Sequence, residues 1–481
     1  MSENQKKEVA TIHLVFPILV LALLIFYGLI LQPRVFNKPA FPLEIVFLLA
    51  TVFSAGHLLF IGFNWKTVQD AIVKKLSKGF PAVLILFAIG LVIGTWIVSG
   101  TIPILIYYGI KLIDPTYMYV LAFIIPVIFS TLTGTSWGSV GTIGTVIIGI
   151  ATAADANLGI TAGAIIGGAY FGDKMSPLSD TTNLASLAVD VPLYDHIRSM
   201  MYTTFPSAII SIIVFFILGF VYPPNTSGSN VTQIASTISA LETMFSFNVF
   251  LFIPPLVVLY GSLKRKATLP TLLASSLIAC VLALIFQDFN ITDIMSTLKD
   301  GFNTSMVTWM SEIPEQLNVL FNRGGLYELN EVIVFTLMAL TFIGTLDVTD
   351  AMPKIVNKVF AFTKTKTSVI LASLVSTAFT NAITSNQSAT SFIIGDAFKK
   401  RYDKFKISRK VLSRSIEDYG TMIESIIPWH ATSLFMVVTL GVSFGDYWHW
   451  QLLSLVNIII APLIAILGIG CFYKKNKGKD E

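Results

Sequence analysis

The chain has 481 residues, of which 54% are hydrophobic and only 12% charged, with a formal net charge of +4 and a mean hydropathy of +0.75. That balance excludes an ordinary soluble globular domain, and a small charge held in scattered clusters excludes a nucleic-acid footprint. Apolar runs of about twenty residues, the length one helix needs to cross the hydrocarbon core, recur from end to end. The expected fold class is therefore an all-α polytopic membrane protein, since the short alternating segments of a β-barrel are lacking.

In chain order, full spans are expected near 11–31, 42–62, 82–110, 116–134, 203–222, 244–263, 268–287, 332–350, 422–441 and 448–472, about ten transmembrane helices by the length rule. Lys6 and Lys7 precede the first run near Ile12 and no small-residue cleavage site follows, so the run reads as a span and not a removed signal peptide. Basic clusters at Lys66, Lys74, Lys75 and Lys78, at Lys264–Lys266, at 399–410 and at Lys474, Lys475, Lys477 and Lys479 mark cytoplasmic loops, with both termini inside. Residues 222–229 lack basic side chains and read as external. Cys280 and Cys471 sit singly in apolar runs and behave as small hydrophobes. Residues 288–331 are more polar, read as external, and have amphipathic character around Ile294–Phe302 that suits the membrane surface.

Two segments do not fit simple crossings. Residues 367–397 lie between basic flanks that both read as cytoplasmic, and two crossings would need roughly forty residues. The middle, Thr380 to Ser388, is polar. A re-entrant hairpin satisfies both facts, because irregular backbone is tolerated at depth where it lines a cavity. Residues 134–172 read as its counterpart, opening with Gly134-Thr135-Ser136-Trp137-Gly138-Ser139 and turning at Asp155-Ala156-Asn157. Glycines spaced by four, as in Gly163/Gly167 and Gly168/Gly172, read mainly as close helix packing.

These features divide the chain into a first half, 1–222, with hairpin 134–172 and an acidic motif at 172–184; a linker region, 223–331; and a second half, 332–481, with hairpin 367–397 and an acidic motif at 417–430. Broken hydrophobic segments at corresponding positions of two halves point to a transporter's binding site. Ionisable residues at membrane depth point the same way. Pro177 lies four residues after Asp173, and Pro428 four after Glu424. Since proline has no N–H, the carbonyls of Asp173 and Glu424 are expected to be free beside their own carboxylates. Asp173, Ser176 and Asp180 are expected on one helix face. Two neighbouring carboxylates would bind Na+ when deprotonated and release it when protonated. Asp347, Asp350 and Asp396 read as charges at span ends. The five histidines show no metal-ligand spacing, but His430, after the Pro428-Trp429 break, is placed to carry protons.

At these motifs the chain resembles the NhaC-type sodium/proton antiporter family, within the wider ion-transporter superfamily. The resemblance rests on Ser99-Gly100-Thr101-Ile102-Pro103, Thr133 to Gly138, Gly167 to Asn183, Arg323-Gly324-Gly325-Leu326, Glu417 to Thr421 and Ile427-Pro428-Trp429. It implies secondary active exchange, a moving part that carries two hairpins, and a plasma membrane location. It also implies that relatives include exchangers of organic anions, such as malate against sodium and lactate, and of amino acids. The second half departs from the family pattern at Tyr419, Glu424 and His430.

The expected function is antiport of Na+ for H+, with a Na+- or H+-coupled exchanger of a small organic solute, of malate/lactate type or an amino acid, as the alternative. A channel fits less well because the doubled broken-helix arrangement suits alternating access better than a continuous pore, and an enzyme because no nucleophile motif or metal spacing is present. Na+ is expected at Asp173 and Asp180, and the wider ion or substrate site at Ser176, Thr181, Thr182, Asn183, Thr135, Ser136, Ser385, Asn386, Asp418, Glu424 and Ser425, with His430 as proton carrier. No cofactor is expected beyond the transported ions. The expected partners are those ions and the lipid bilayer, with an organic solute and a homodimer left open.

Overall fold

The computed structural model describes residues 9–112, 114–224, 228–359 and 363–473. Lys6, Lys7, the basic cluster at 474–479, Asn225 to Ser227 and both chain ends lie outside the described residues. Among the described residues there is no strand, only two isolated bridges, and nine helices are long and apolar enough to cross a membrane. Three further pairs of helices qualify if each bent pair is one span. The protein is a multi-pass helical membrane protein.

Several spans differ in detail from expectation. The run at 82–110 is not one helix. A 34-residue helix, Trp65–Val98, is capped by Asn64, whose side chain accepts from the Thr67 N–H, and ends at Ser99. Gly100, at φ +84°, turns the chain into a second helix, Thr101–Leu112. Gln287 fastens this turn by donating its amide to the Ser99 carbonyl at 3.0 Å. The run at 244–263 is part of a pair, Ala235–Met244 and Val249–Leu263, bent by 100°.

Residues 288–331 pack against the helices that precede them. Helix Ile291–Asp300 starts at a capping box formed by Asn290 and Asp293 and buries Ile294 and Thr297. Phe245, Phe289, Phe302 and Phe321 cluster beside it, with ring centres 5.5 to 6.2 Å apart. The loop Arg323-Gly324-Gly325 then wedges against the long helix, where the Gly325 N–H donates to the Gly90 carbonyl at 2.8 Å. Both loop glycines have positive φ, and a Cβ on Gly324 would sit 2.3 Å from the Gly94 nitrogen. Backbone meets backbone here because no side chain intervenes.

A single offset of 251 residues relates the two repeated units. The first runs Met118–Thr133, a break, Ser136–Ala153, Leu158–Met175, a second break, Asp180–Ala188. The second runs Lys366–Thr384, a break, Gln387–Lys404, Arg409–Asp418 continued by a tighter turn at Thr421–Ile426, a second break, Ala431–Leu440. By this register the partner of 367–397 is the unit 118–153. The segment read from the sequence as 134–172 contains the second arm of that unit and most of the next helix. The glycine spacing acts as packing: a Cβ on Gly168 would lie 2.1 Å from the Phe123 carbonyl oxygen, and one on Gly172 would lie 2.5 Å from the Thr131 nitrogen. Helix 158–175 therefore lies directly against helix 118–133.

Candidate functional site

The first breaks of the two repeats have the same local construction. Gly134 (φ +70°) and Ser385 (φ +47°) are left-handed residues that end one helix. Thr135 and Asn386, both extended, cap the next helix by accepting from the N–H groups of Gly138 and Ala389. Each cap satisfies one of the donors that a helix start leaves open. A hydroxyl pair closes each tip, Thr133 to Ser139 at 3.1 Å and Thr384 to Thr390 at 3.0 Å. Glycine is required at 134, where a Cβ would meet the Leu178 Cβ at 2.6 Å.

The second breaks carry the acids. Helix 158–175 stops two residues before Pro177, and its cap residue Ser176 is extended. A new helix begins at Asp180. Asp173, Ser176 and Asp180 thus do not share a helix face, because the proline breaks the helix that would have aligned them. Nor are the acids' carbonyls free. The Thr182 hydroxyl donates to the carbonyls of Asp173 (3.4 Å) and Lys174 (3.1 Å), and the Ser433 hydroxyl donates to that of Glu424 (3.0 Å). Thr182 and Ser433 are themselves related by the 251-residue offset. Buried carbonyls that lose an N–H find another donor, and a hydroxyl from the following helix supplies it.

A cavity of about 210 Å3 lies where the breaks of both repeats meet. Of the residues expected to bind ions or substrate, Thr135, Ser136, Asp173, Asp180, Thr181, Ser385, Asn386, Glu424 and His430 line it. Asp173 is 3% exposed. Its Oδ2 accepts from the Ser136 hydroxyl at 2.8 Å, while its Oδ1 is buried without a partner. Glu424 accepts from the Asn381 amide at 3.3 Å and the Thr432 hydroxyl at 2.9 Å. His430 Nδ1 accepts from the Thr432 N–H at 3.1 Å, so a neutral ring carries its proton on Nε2, which lies 3.8 Å from Glu424 Oε1. Three carboxylates line the cavity, and no lysine or arginine does.

Asp180 and Thr135 also border a second cavity of about 360 Å3. This vestibule reaches Arg265 and Lys266 and includes Asn183. Asp180 therefore lines both cavities.

Four expected residues do not line the central cavity or the vestibule. Ser176 is fully buried and accepts from the Leu178 N–H. Thr182 caps carbonyls as described. Ser425 accepts from the Gln451 amide at 3.1 Å. Asp418 is 1% exposed and pairs with Lys174 at 2.5 Å. It also accepts from Thr203 at 2.9 Å and Asn457 at 3.2 Å. Lys174 thus meets the acid of the other repeat.

Sequence reasoning passed over Trp137, Gln387, Ser388, Thr421 and Thr432, which also line the cavity, and Asn381, which holds Glu424. Trp137 stacks on Phe435 of the other repeat, with ring centres 4.6 Å apart and planes within 9°. The constant offset was the available signal: it pairs Ser136 with Gln387, Asp173 with Glu424, and Ser179 with His430.

The sequence pattern of the Na+/H+ antiporter family matches residues 168–469. The chain is 41% identical over 464 residues to an uncharacterized Na+/H+ antiporter of Haemophilus influenzae, covering 96% of each protein. It is 33% identical to the Na+/H+ antiporter NhaC of Alkalihalophilus pseudofirmus, covering 90% of this chain and 91% of the relative. It is also 33% identical to the malate-2H+/Na+-lactate antiporter of Bacillus subtilis, over 95% of this chain and 96% of the relative.

Proposed function

The chain belongs to the Na+/H+ antiporter family, and we propose that it exchanges Na+ for H+ through the cavity between its two pairs of broken helices. One observation carries this reading: the cavity has three carboxylates, several hydroxyl and amide oxygens, and no fixed cation. Oxygen ligands suit a hard cation. The same carboxylates hold protons when Na+ is absent, so each ion displaces the other.

Asp173 and Asp180 would hold Na+, with Ser136, Thr135 and Thr181 as neutral oxygens beside them. Glu424 is the matching acid of the second repeat. His430, close to it, is positioned to pass a proton to and from it. Ser385 and Asn386 shape the second tip. Asp418, Ser176, Thr182 and Ser425 act behind the site: Asp418 holds Lys174, and the hydroxyls hold the broken backbone. The location is the plasma membrane with both termini cytoplasmic, a reading supported by the basic loops. The protein acts as a transporter and needs no cofactor.

The malate-2H+/Na+-lactate relative favours a second reading, coupled exchange of an organic solute. A carboxylate solute would meet three carboxylates and no lysine or arginine in the cavity, which supports the inorganic ion instead. The deciding experiment uses purified protein in proteoliposomes with a trapped pH dye. A Na+ pulse without organic solute should release protons from acidic vesicles saturably, and Asp173→Asn should abolish the response. An unresponsive wild-type protein that then responds when malate or lactate is supplied would replace the first reading with the second.

A further inference from the structure

We infer a second cation site, separate from the Asp173–Asp180 locus, built from Glu417, Gln387 and Thr421. Glu417 is 0% exposed, yet neither of its carboxylate oxygens has a hydrogen-bond partner. A buried carboxylate in that condition is among the costliest arrangements a protein can hold. Lys174, Thr421 and Gln387 relieve its charge only in part. Gln387 and Thr421 present polar side chains to it, but the Gln387 amide nitrogen is already donated to the Ile416 carbonyl at 3.1 Å. That bond fixes which end of the amide is left over, and Gln387 Oε1 is also buried without a partner, as is Thr421 Oγ1.

The result is a set of four unpartnered oxygens: two from Glu417, one from Gln387 and one from Thr421. Such a set of one charge and neutral oxygens is the ligand chemistry of a small monovalent cation. The nearby positive side chains are directed elsewhere. Lys174 sits 2.5 Å from Asp418, and Arg414 donates to the carbonyls of Ser199 and Gly470 and faces Asp418 at 3.9 Å. Among the described residues no lysine or arginine forms an ion pair with Glu417.

The backbone makes room for this arrangement. A Cβ on Gly420 would lie 2.2 Å from Gln387 Oε1 and 2.3 Å from the Ile416 carbonyl oxygen. Glycine at 420 is therefore what lets Gln387 reach in. Gln387 and Thr421 also border the central cavity, which gives a cation its way in. The inference rests on the Na+/H+ reading only for the identity of the cation, Na+.

The test is saturation binding of radiolabelled Na+ to the purified full-length protein in detergent. Wild-type protein should bind in two components. Glu417→Gln should lose one, leaving half the capacity, and Asp173→Asn should lose the other. Gly420→Ala removes no ligand but displaces Gln387, and should weaken one component about tenfold. Full wild-type capacity in a monodisperse Glu417→Gln protein overturns the second site and leaves the exchange reading standing. Should Glu417→Gln not fold, an unchanged isotherm in Gly420→Ala overturns it equally. Wild-type protein that binds no Na+ overturns both readings.

Discussion

Lys174 of the first repeat and Asp418 of the second form a fully buried ion pair, 2.5 Å apart, directly behind the cavity. Each partner lies next in sequence to a buried acid, Asp173 and Glu417. The pair clasps the two broken helices together at the point where their charges gather. Its geometry is supported by Thr203 and Asn457, both of which donate to Asp418.

Removing one partner should therefore be far worse than removing both. Lys174→Met leaves Asp418 buried with Arg414 only at 3.9 Å, and should cost about 3–5 kcal/mol. Lys174→Met combined with Asp418→Asn should recover most of that loss. Thermal unfolding in detergent measures both, and equal destabilisation in the single and double variants would refute the clasp.

Asp173→Asn should keep the fold and lose the exchange. The asparagine side-chain oxygen can still accept from Ser136, so melting should stay near the wild-type value, and a buried charge with an unpartnered oxygen disappears. Proton movement driven by Na+ should fall to that of empty vesicles. Retained exchange would remove Asp173 from the site.

Transport should depend on pH in a defined direction. Protons and Na+ compete for the same carboxylates, so lowering the pH protonates them and weakens Na+ binding. In the acid range the apparent KM for Na+ should rise about tenfold for each pH unit when one proton competes. The maximal rate at saturating Na+ should change less. A KM that is flat across the acid range would argue against shared ligands.

Thr182→Val and Ser433→Ala should behave alike, because each hydroxyl caps the carbonyl of an acid at a proline-broken helix. Each loss should cost about 1–3 kcal/mol, the cost of leaving a buried acceptor underserved. The carbonyls of Asp173 and Glu424 each also accept from a backbone N–H, of Ser176 at 3.2 Å and of Ile427 at 3.4 Å, but Thr182 serves the Lys174 carbonyl as well, so Ser433→Ala should be the milder change. Thermal unfolding of both variants checks the order.

Gly325→Ala should loosen the 291–326 segment from the long helix. Its φ is +80°, and a Cβ would lie 2.3 Å from the Gly301 nitrogen. Both strain and overlap act, so the cost should exceed about 1 kcal/mol. Faster proteolysis of residues 291–326 would report it, and unchanged protection would refute the wedge.

The sequence by itself determined the fold class and the neighbourhood of the site. Long apolar runs are unambiguous because a bilayer sets a length that chance rarely supplies. Asp173, Asp180, Glu424 and His430 stood out because charge is rare in such runs, and all four line one cavity. The tertiary structure decided which polar groups are partnered. Pro177 and Pro428 announced broken helices, but whether the freed carbonyls faced an ion or a hydroxyl depended on where Thr182 and Ser433 landed. Asp418 looked like Asp173 in sequence, yet its position opposite Lys174 took it out of the cavity lining. Glu417 stood in the acidic motif at 417–430 beside Asp418, but what sets it apart is the lack of a hydrogen-bond partner in the fold, a property of three-dimensional packing that no spacing of residues along a chain can express.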